Sequence, residues 1–130
     1  MKHDPIADFL VVVKNGVLRG KTYVDFPASK IIGEILKIMQ KKGFITNFKK
    51  ITDNKQGFYR IFPAYNGKEP VLKGAKRISK PGRRIYTSYS DIPLVMDGFG
   101  ICIVSTPKGV FEGEEAKKIK QGGEILCYIW

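Results

Sequence analysis

Residues Ser29–Phe62, SKIIGEILKIMQKKGFITNFKKITDNKQGFYRIF, change hydrophobic period part-way along, and that change sets the fold class. Ser29 is an N-cap residue, and Ile31, Ile32, Ile35, Leu36 and Met39 recur on one helical face. Lys41 and Lys42 suit the negative end of the helix macrodipole, and Gly43 supplies the stop. From Phe44 the period falls to two. Phe44–Ile51 and Phe58–Phe62 are aromatic and β-branched, and Asp53–Gly57 supplies a turn between them. Pro63 then limits the end of the second strand to an edge or a bulge.

Upstream, Asp4-Pro5 opens another helix as N-cap and first helical residue, followed by Ile6, Phe9, Leu10 and Val13 on one face. Asn15-Gly16 is expected to close it. A short alternating run, Thr22 to Phe26, reads as a strand stopped by Pro27. The first half is therefore α-β-α-β-β, helices covering one face of a small sheet. The polar stretch Asn66–Pro70 predicts a boundary between subdomains 1–66 and 71–130. Beyond it, strands are expected at Lys76–Ser79, Ile85–Ser88, Gly100–Thr106 and Glu124–Trp130. A short helix from about Glu114 to Gln121 is ended by Gly122-Gly123. The fold class expected is α+β.

Charge narrows the function. The 130 residues carry 23 Lys and Arg against 12 Asp and Glu, a net of +11, which calls for an anionic partner. Residues 71–90 hold six of the bases and no acid, whereas beyond residue 90 four lysines face six acids. The apolar run Phe9–Val13 is far shorter than the ~20 residues a membrane span needs. Asp4 and Asp8 interrupt any signal-like core, so a cytoplasmic protein is expected. Cys102 and Cys127 sit in apolar runs; they could pair, but reduced core thiols are the favoured reading. One histidine, His3, leaves no metal set and no Cys/His or Ser/His pair, so neither enzyme chemistry nor a cofactor is expected.

Candidate contacts lie in the second half. Gly16–Thr22 superficially resembles a phosphate loop. It has one residue too few between its glycines, and it follows a helix and precedes a strand, the reverse of what that loop needs. Ser79–Tyr86 (SKPGRRIY) is a Pro-Gly turn with Lys80, Arg83 and Arg84 beside Tyr86. It reads equally as phosphate contacts with a stacking ring, suited to irregular RNA, or as a solvated basic hairpin with Tyr86 half-buried. Ser105-Thr106-Pro107-Lys108-Gly109, at a strand exit, offers hydroxyls, free backbone and one cation to base edges and phosphates. In Gly122-Gly123-Glu124 the first glycine suffices to end a helix, and the second leaves room for another backbone or for RNA.

These segments, in this order and along essentially the whole chain, resemble the bacterial-type small-subunit ribosomal protein eight family. The carriers are Asp4–Asp8, Asn15-Gly16, Ser29-Lys30, Gly43–Ile45 and Lys80–Tyr86. Gly98–Ile101, Ser105-Thr106, Lys108-Gly109 and Gly122–Ile125 complete the set. The resemblance implies a non-catalytic protein that binds small-subunit ribosomal RNA early in assembly, beside neighbouring ribosomal proteins, in a bacterial or organellar ribosome. It implies an N-terminal α-β-α-β-β subdomain packed on a mostly β C-terminal one with a short helix, the latter gripping an internal loop in the RNA central domain. Carried over by position, the RNA-binding residues are Ser105, Thr106, Lys108, Gly109, Tyr86, Gly122, Gly123 and Glu124. Lys30 and Arg84 are expected on phosphates. Pro107 stands where the family usually has serine; it either stacks its ring on the RNA or meets a different RNA loop. No membrane, small-molecule substrate, metal or cofactor is expected. A basic membrane-peripheral protein, or another RNA-binding regulator, is the competing class; against the first, the opening helix has only Lys14 as a base and carries Asp4 and Asp8, and the second helix needs its apolar face for the core.

Overall fold

The computed structural model describes residues 3–130 and is α+β, with two compact units. One is Asp8–Lys73; the other joins residues 3–7 with Gly74–Trp130.

In the Asp8–Lys73 unit the order α-β-α-β-β appears as expected: α1 (Pro5–Leu18), β1 (Val24–Pro27), α2 (Lys30–Lys41), β2 (Ile45–Ile51) and β3 (Phe58–Pro63). A small hairpin, β4 (Tyr65–Asn66) with β5 (Glu69–Pro70), follows. The sheet order is β1-β3-β2, all antiparallel. Pro63, at the end of the central strand, faces the register shift between Ile45 and Asn47, so the lost N–H falls at a bulge. Ser29 caps α2 through its Oγ, which accepts from the Ile32 N–H at 3.4 Å. Gly43, at φ +85°, closes α2 with the Phe44 N–H returning to the Met39 carbonyl. Ile32, Ile35, Leu36 and Met39 are fully buried, each contributing about 2 kcal/mol of apolar transfer.

Asn15-Gly16 does not end α1. The helix runs to Leu18 and stops at Gly20, φ +65°, with the Lys21 N–H bonded to the Gly16 carbonyl and the Gly20 N–H to that of Val17. Gly16 instead makes room for β1, since a Cβ there would lie 2.2 Å from Val24 Cγ1. The apolar pattern alone does not separate these two uses of glycine.

The second unit is built on a sheet ordered β6-β10-β8-β9, with β7 also pairing to β10. Its strands are β6 (Ala75–Arg77), β7 (Tyr86–Thr87), β8 (Ile101–Thr106), β9 (Gly109–Glu112) and β10 (Gly123–Ile129), with α3 (Gly113–Lys118) before the last. Two single 3₁₀ turns, Tyr89–Asp91 and Met96–Gly98, fill the connection from β7 to β8. Ile92, Val95, Cys102, Val104, Ala116 and Ile125 form its apolar core. Sequence reading misses β9, four residues beginning in glycine directly after a proline-containing turn.

Candidate nucleic-acid interface

The expected terminator of α3 does something else. The helix ends at Lys118, and Lys120 takes the left-handed conformation at φ +56°, its N–H bonded to the Lys117 carbonyl while the Gln121 N–H reaches that of Ala116. Gly122 and Gly123 are thus free of the cap. A Cβ on Gly122 would lie 2.3 Å from the Thr87 carbonyl oxygen, and one on Gly123 would lie 2.0 Å from that of Ser105. Both obstacles are backbone. The two glycines let β7 and β8 close on β10 from opposite sides.

That closure lines up three side chains. Glu124 is directly opposite Tyr86 on one neighbouring strand and Ser105 on the other. Directly paired residues share a sheet face, so all three stand on one face, with Tyr86 and Ser105 roughly 10 Å apart across the intervening strand. Tyr86 is 69% exposed. The reading of a half-buried tyrosine is therefore excluded, and the ring offers a free flat surface.

The Ser105–Gly109 segment is a tight hairpin turn between β8 and β9, with Thr106 paired to Gly109. The Thr106 hydroxyl accepts from the Lys108 N–H at 3.1 Å and donates to the Gly109 carbonyl at 2.8 Å. The residue is 8% exposed, and its hydroxyl shapes the turn from within. Gly109, at φ +127°, adopts a conformation closed to other residues. Pro107 and Lys108 occupy the exposed tip, and Ser105 is half-buried at its base. Proline pre-sets the backbone for the first tip position. Pro107→Ser should therefore cost about 0.5–1 kcal/mol in urea unfolding by freeing the unfolded chain, and should bind an RNA loop typical of the family at least as tightly.

Behind Tyr86 lies a network that the sequence does not announce. Ser79 is fully buried. Its hydroxyl accepts from the Ile85 N–H at 3.1 Å and donates to the Glu124 carboxylate. Arg84 Nη1 donates to the same carboxylate oxygen at 2.9 Å. Burial pushes the Glu124 carboxyl upward, but the Ser79 and Arg84 hydrogen bonds and the charges of Arg84 and Arg77 outweigh it and hold it below the usual carboxylate range. Lys80 and Arg83 exchange both backbone hydrogen bonds, at 3.0 and 2.9 Å, closing the Pro-Gly turn. Glu124 thereby ties the basic turn to β10. Arg84 remains 47% exposed, with further N–H donors beyond the one given to Glu124. Only a serine two residues before Pro-Gly hinted at Ser79.

Lys30 belongs to the other unit, exposed at the first position of α2. A cation there opposes the helix macrodipole, so helix stability does not account for it.

Two further carboxylates have structural roles. Asp4 Oδ1 accepts from the Ala7 N–H at 3.3 Å and pairs with Arg77 Nε at 3.1 Å. Glu112 Oε2 caps α3 through the Glu114 N–H at 2.8 Å. Both cysteines are buried thiols, pushed up to about 12 by burial, which leaves no thiolate nucleophile. Among the described residues no cluster of three or more His, Cys, Asp or Glu could hold a metal, and no helix is long and apolar enough to cross a membrane.

The family model described as ribosomal protein S8 matches residues 4–130. The chain belongs to the ribosomal protein S8 family. Its relatives include the small ribosomal subunit protein uS8 of Kosmotoga olearia, 44% identical with both chains covered in full. That of Pseudothermotoga lettingae is 47% identical, also with full coverage of both. That of Bacillus cereus is 44% identical over 98% of this chain and 97% of its own. Membership makes this a ribosomal protein with a structural rather than a catalytic role, one that works in translation within a complex of ribosomal RNA and other ribosomal proteins.

Proposed function

We propose that this chain binds an internal-loop helix in the central domain of small-subunit ribosomal RNA, and that this binding promotes subunit assembly. One observation carries the reading. Gly122 and Gly123 bring Tyr86, Glu124 and Ser105 to one level on one sheet face, beside an exposed turn tip of Pro107 and Lys108. A flat aromatic surface, a hydroxyl and a lysine suit unstacked bases and bent backbone, which an internal loop has and a regular duplex lacks. The central-domain location comes from the family resemblance.

The division of labour follows from the chemistry. Lys80, Arg83 and Arg84 on the Pro-Gly turn, Lys108 at the tip and Lys30 at the head of α2 supply salt-sensitive phosphate contacts. Ser105 and Tyr86 read the loop. Thr106, Gly109, Gly122, Gly123 and Glu124 hold those two in place. RNA stacked on Tyr86 would meet the Glu124 carboxylate already neutralised by Arg84, so the acid does not repel the backbone.

Two substitutions separate the roles. Ser105→Ala should reduce the preference for a looped hairpin over plain duplex RNA about tenfold, the cost of one or two lost polar contacts, while leaving duplex affinity unchanged. Lys30→Ala should weaken both RNAs together and flatten the slope of log K against log salt by up to ~1 unit. Filter binding between low and moderate salt reads both. A Ser105→Ala chain with intact loop preference would remove Ser105 from the recognition surface.

A further inference from the structure

Ser79 is fully buried behind the face that carries Tyr86, Glu124 and Ser105, out of reach of any RNA. Its bonds nevertheless meet at that face. The Ser79 N–H donates to the Ile125 carbonyl at 3.1 Å, which fixes the Ser79 backbone to β10. The hydroxyl accepts from the Ile85 N–H at 3.1 Å and donates to the Glu124 carboxylate. Ile85 is the residue before Tyr86, and Glu124 is paired with both Tyr86 and Ser105. One hydroxyl therefore ties the chain entering β7 to the acid at the centre of the row.

Closing the Pro-Gly turn does not require that hydroxyl. Lys80 and Arg83 exchange both of their backbone hydrogen bonds, and the Ser79 amide is held by β10. What lacks support is β7. It is two residues long, pairs only with Gly123 and Glu124, and follows a turn whose Lys80, Arg83 and Arg84 repel one another. A ladder this short, with a glycine in one of its two pairs, specifies its register weakly. The Ile85 carbonyl accepts from the Ile125 N–H at 2.9 Å, so β10 holds one polar group of Ile85 and the Ser79 hydroxyl holds the other. Serine offers one donor and two lone pairs, and here it uses both kinds; alanine and valine offer neither.

We propose that Ser79 is a positioning residue of the RNA-reading face: its hydroxyl sets the level of the Tyr86 ring against Glu124 and Ser105, and preference for looped RNA depends on it. The proposal rests on the internal-loop reading and deepens it. A merely structural Ser79 would alter stability and treat all RNAs alike. A positioning Ser79 alters the preference between RNAs, and also its response to pH, because it acts through Glu124. The charged groups acting on that carboxylate are Arg84 on the turn and Arg77 on β6, both cationic at every pH of the test. The Ser79 hydrogen bond helps hold the Glu124 carboxyl low against burial, so removing it lets the carboxyl take up a proton at higher pH.

The test compares the unaltered chain with Ser79→Ala, and Ser79→Thr with Ser79→Val. Each pair differs by one hydroxyl, and the second carries equal extra bulk in both members, so the hydroxyl is read even where bulk lowers stability. Full chains are titrated with the internal-loop hairpin and with plain duplex RNA between about pH 4.5 and pH 7.5, a range just above the ordinary glutamate value. Urea midpoints identify a temperature at which the chains are folded. At neutral pH the member of each pair without the hydroxyl should lose about tenfold in preference for the hairpin, the cost of one or two lost hydrogen bonds, with duplex affinity unchanged. Towards acid the unaltered chain should keep its preference, while Ser79→Ala loses more of it. Four results overturn the proposal: preference kept in Ser79→Ala and Ser79→Val, equal loss of hairpin and duplex affinity, Ser79→Thr falling as far as Ser79→Val, or pH profiles of the same shape with and without the hydroxyl. Failure of the RNA reading shows separately, as an unaltered chain that does not prefer the hairpin.

Discussion

Gly123→Ala is expected to destabilise the protein by about 3 kcal/mol and to remove its preference for looped RNA. The added methyl would sit 2.0 Å from the Ser105 carbonyl oxygen, 2.9 Å from its carbon and 3.1 Å from Thr106 Cα. No side chain can rotate aside, because the obstacle is the backbone of the paired strand. Relief requires β8 to move off β10 at the register pair Glu124–Ser105, which carries Ser105 and the turn behind it away from Tyr86. Gly67→Ala is the control: that glycine is left-handed at φ +64° but has nothing within 4 Å of a Cβ, so only backbone strain of about 1 kcal/mol is at stake. Urea unfolding and hairpin binding of both variants decide the matter. A Gly123→Ala chain as stable as Gly67→Ala, with loop preference intact, would show that close approach of these strands is not what positions the site.

Arg77→Ala should cost a similar amount, about 3 kcal/mol, by a different route. The Arg77 side chain is 8% exposed and its partner Asp4 18%. Nε reaches both Asp4 oxygens, at 3.1 and 3.2 Å, and Nη1 donates to the Leu126 carbonyl at the β10 bulge. Truncation leaves a mostly buried carboxylate without its cation, and a buried charge without a partner costs more than the pair contributed. Arg77→Lys should recover only part of the loss, because one ammonium cannot reproduce the fork. Because Asp4 also caps α1, the expected signature is a lower urea midpoint in Arg77→Ala accompanied by faster amide exchange at Ala7. An unchanged midpoint would mean that the pair contributes nothing net.

Local signals carried much of the fold. The Ser29 cap, the Gly43 stop, the period change at Phe44 and the Asp53–Gly57 turn each depend on neighbours in sequence, and each took the expected form. Gly16, Gly122 and Gly123 were legible as glycines but not by purpose. Gly16 is required by Val24 in the strand that follows, and Gly122 and Gly123 by Thr87 and Ser105 on strands remote in sequence. α3 stops on a left-handed lysine, a use of Lys120 that no propensity suggests. β9 escaped because four residues give no period to count. The exposed tyrosine, the turn hydroxyl of Thr106 and the buried Ser79 share one cause: sequence names the group, and only the strand register decides whether it faces water, backbone or a carboxylate.

The most direct test of the account is the affinity of the unaltered chain for a hairpin carrying the family's internal loop, set against a plain RNA duplex of equal length across a salt series. The looped hairpin should bind at least a hundredfold more tightly. Both affinities should fall with salt at similar slopes, since phosphate contacts are common to the two and loop contacts are nearly salt-independent. Equal affinity for the two RNAs at every salt concentration would contradict it, reducing the aligned face of Tyr86, Glu124 and Ser105 to an ordinary protein surface and leaving only the charge to account for binding.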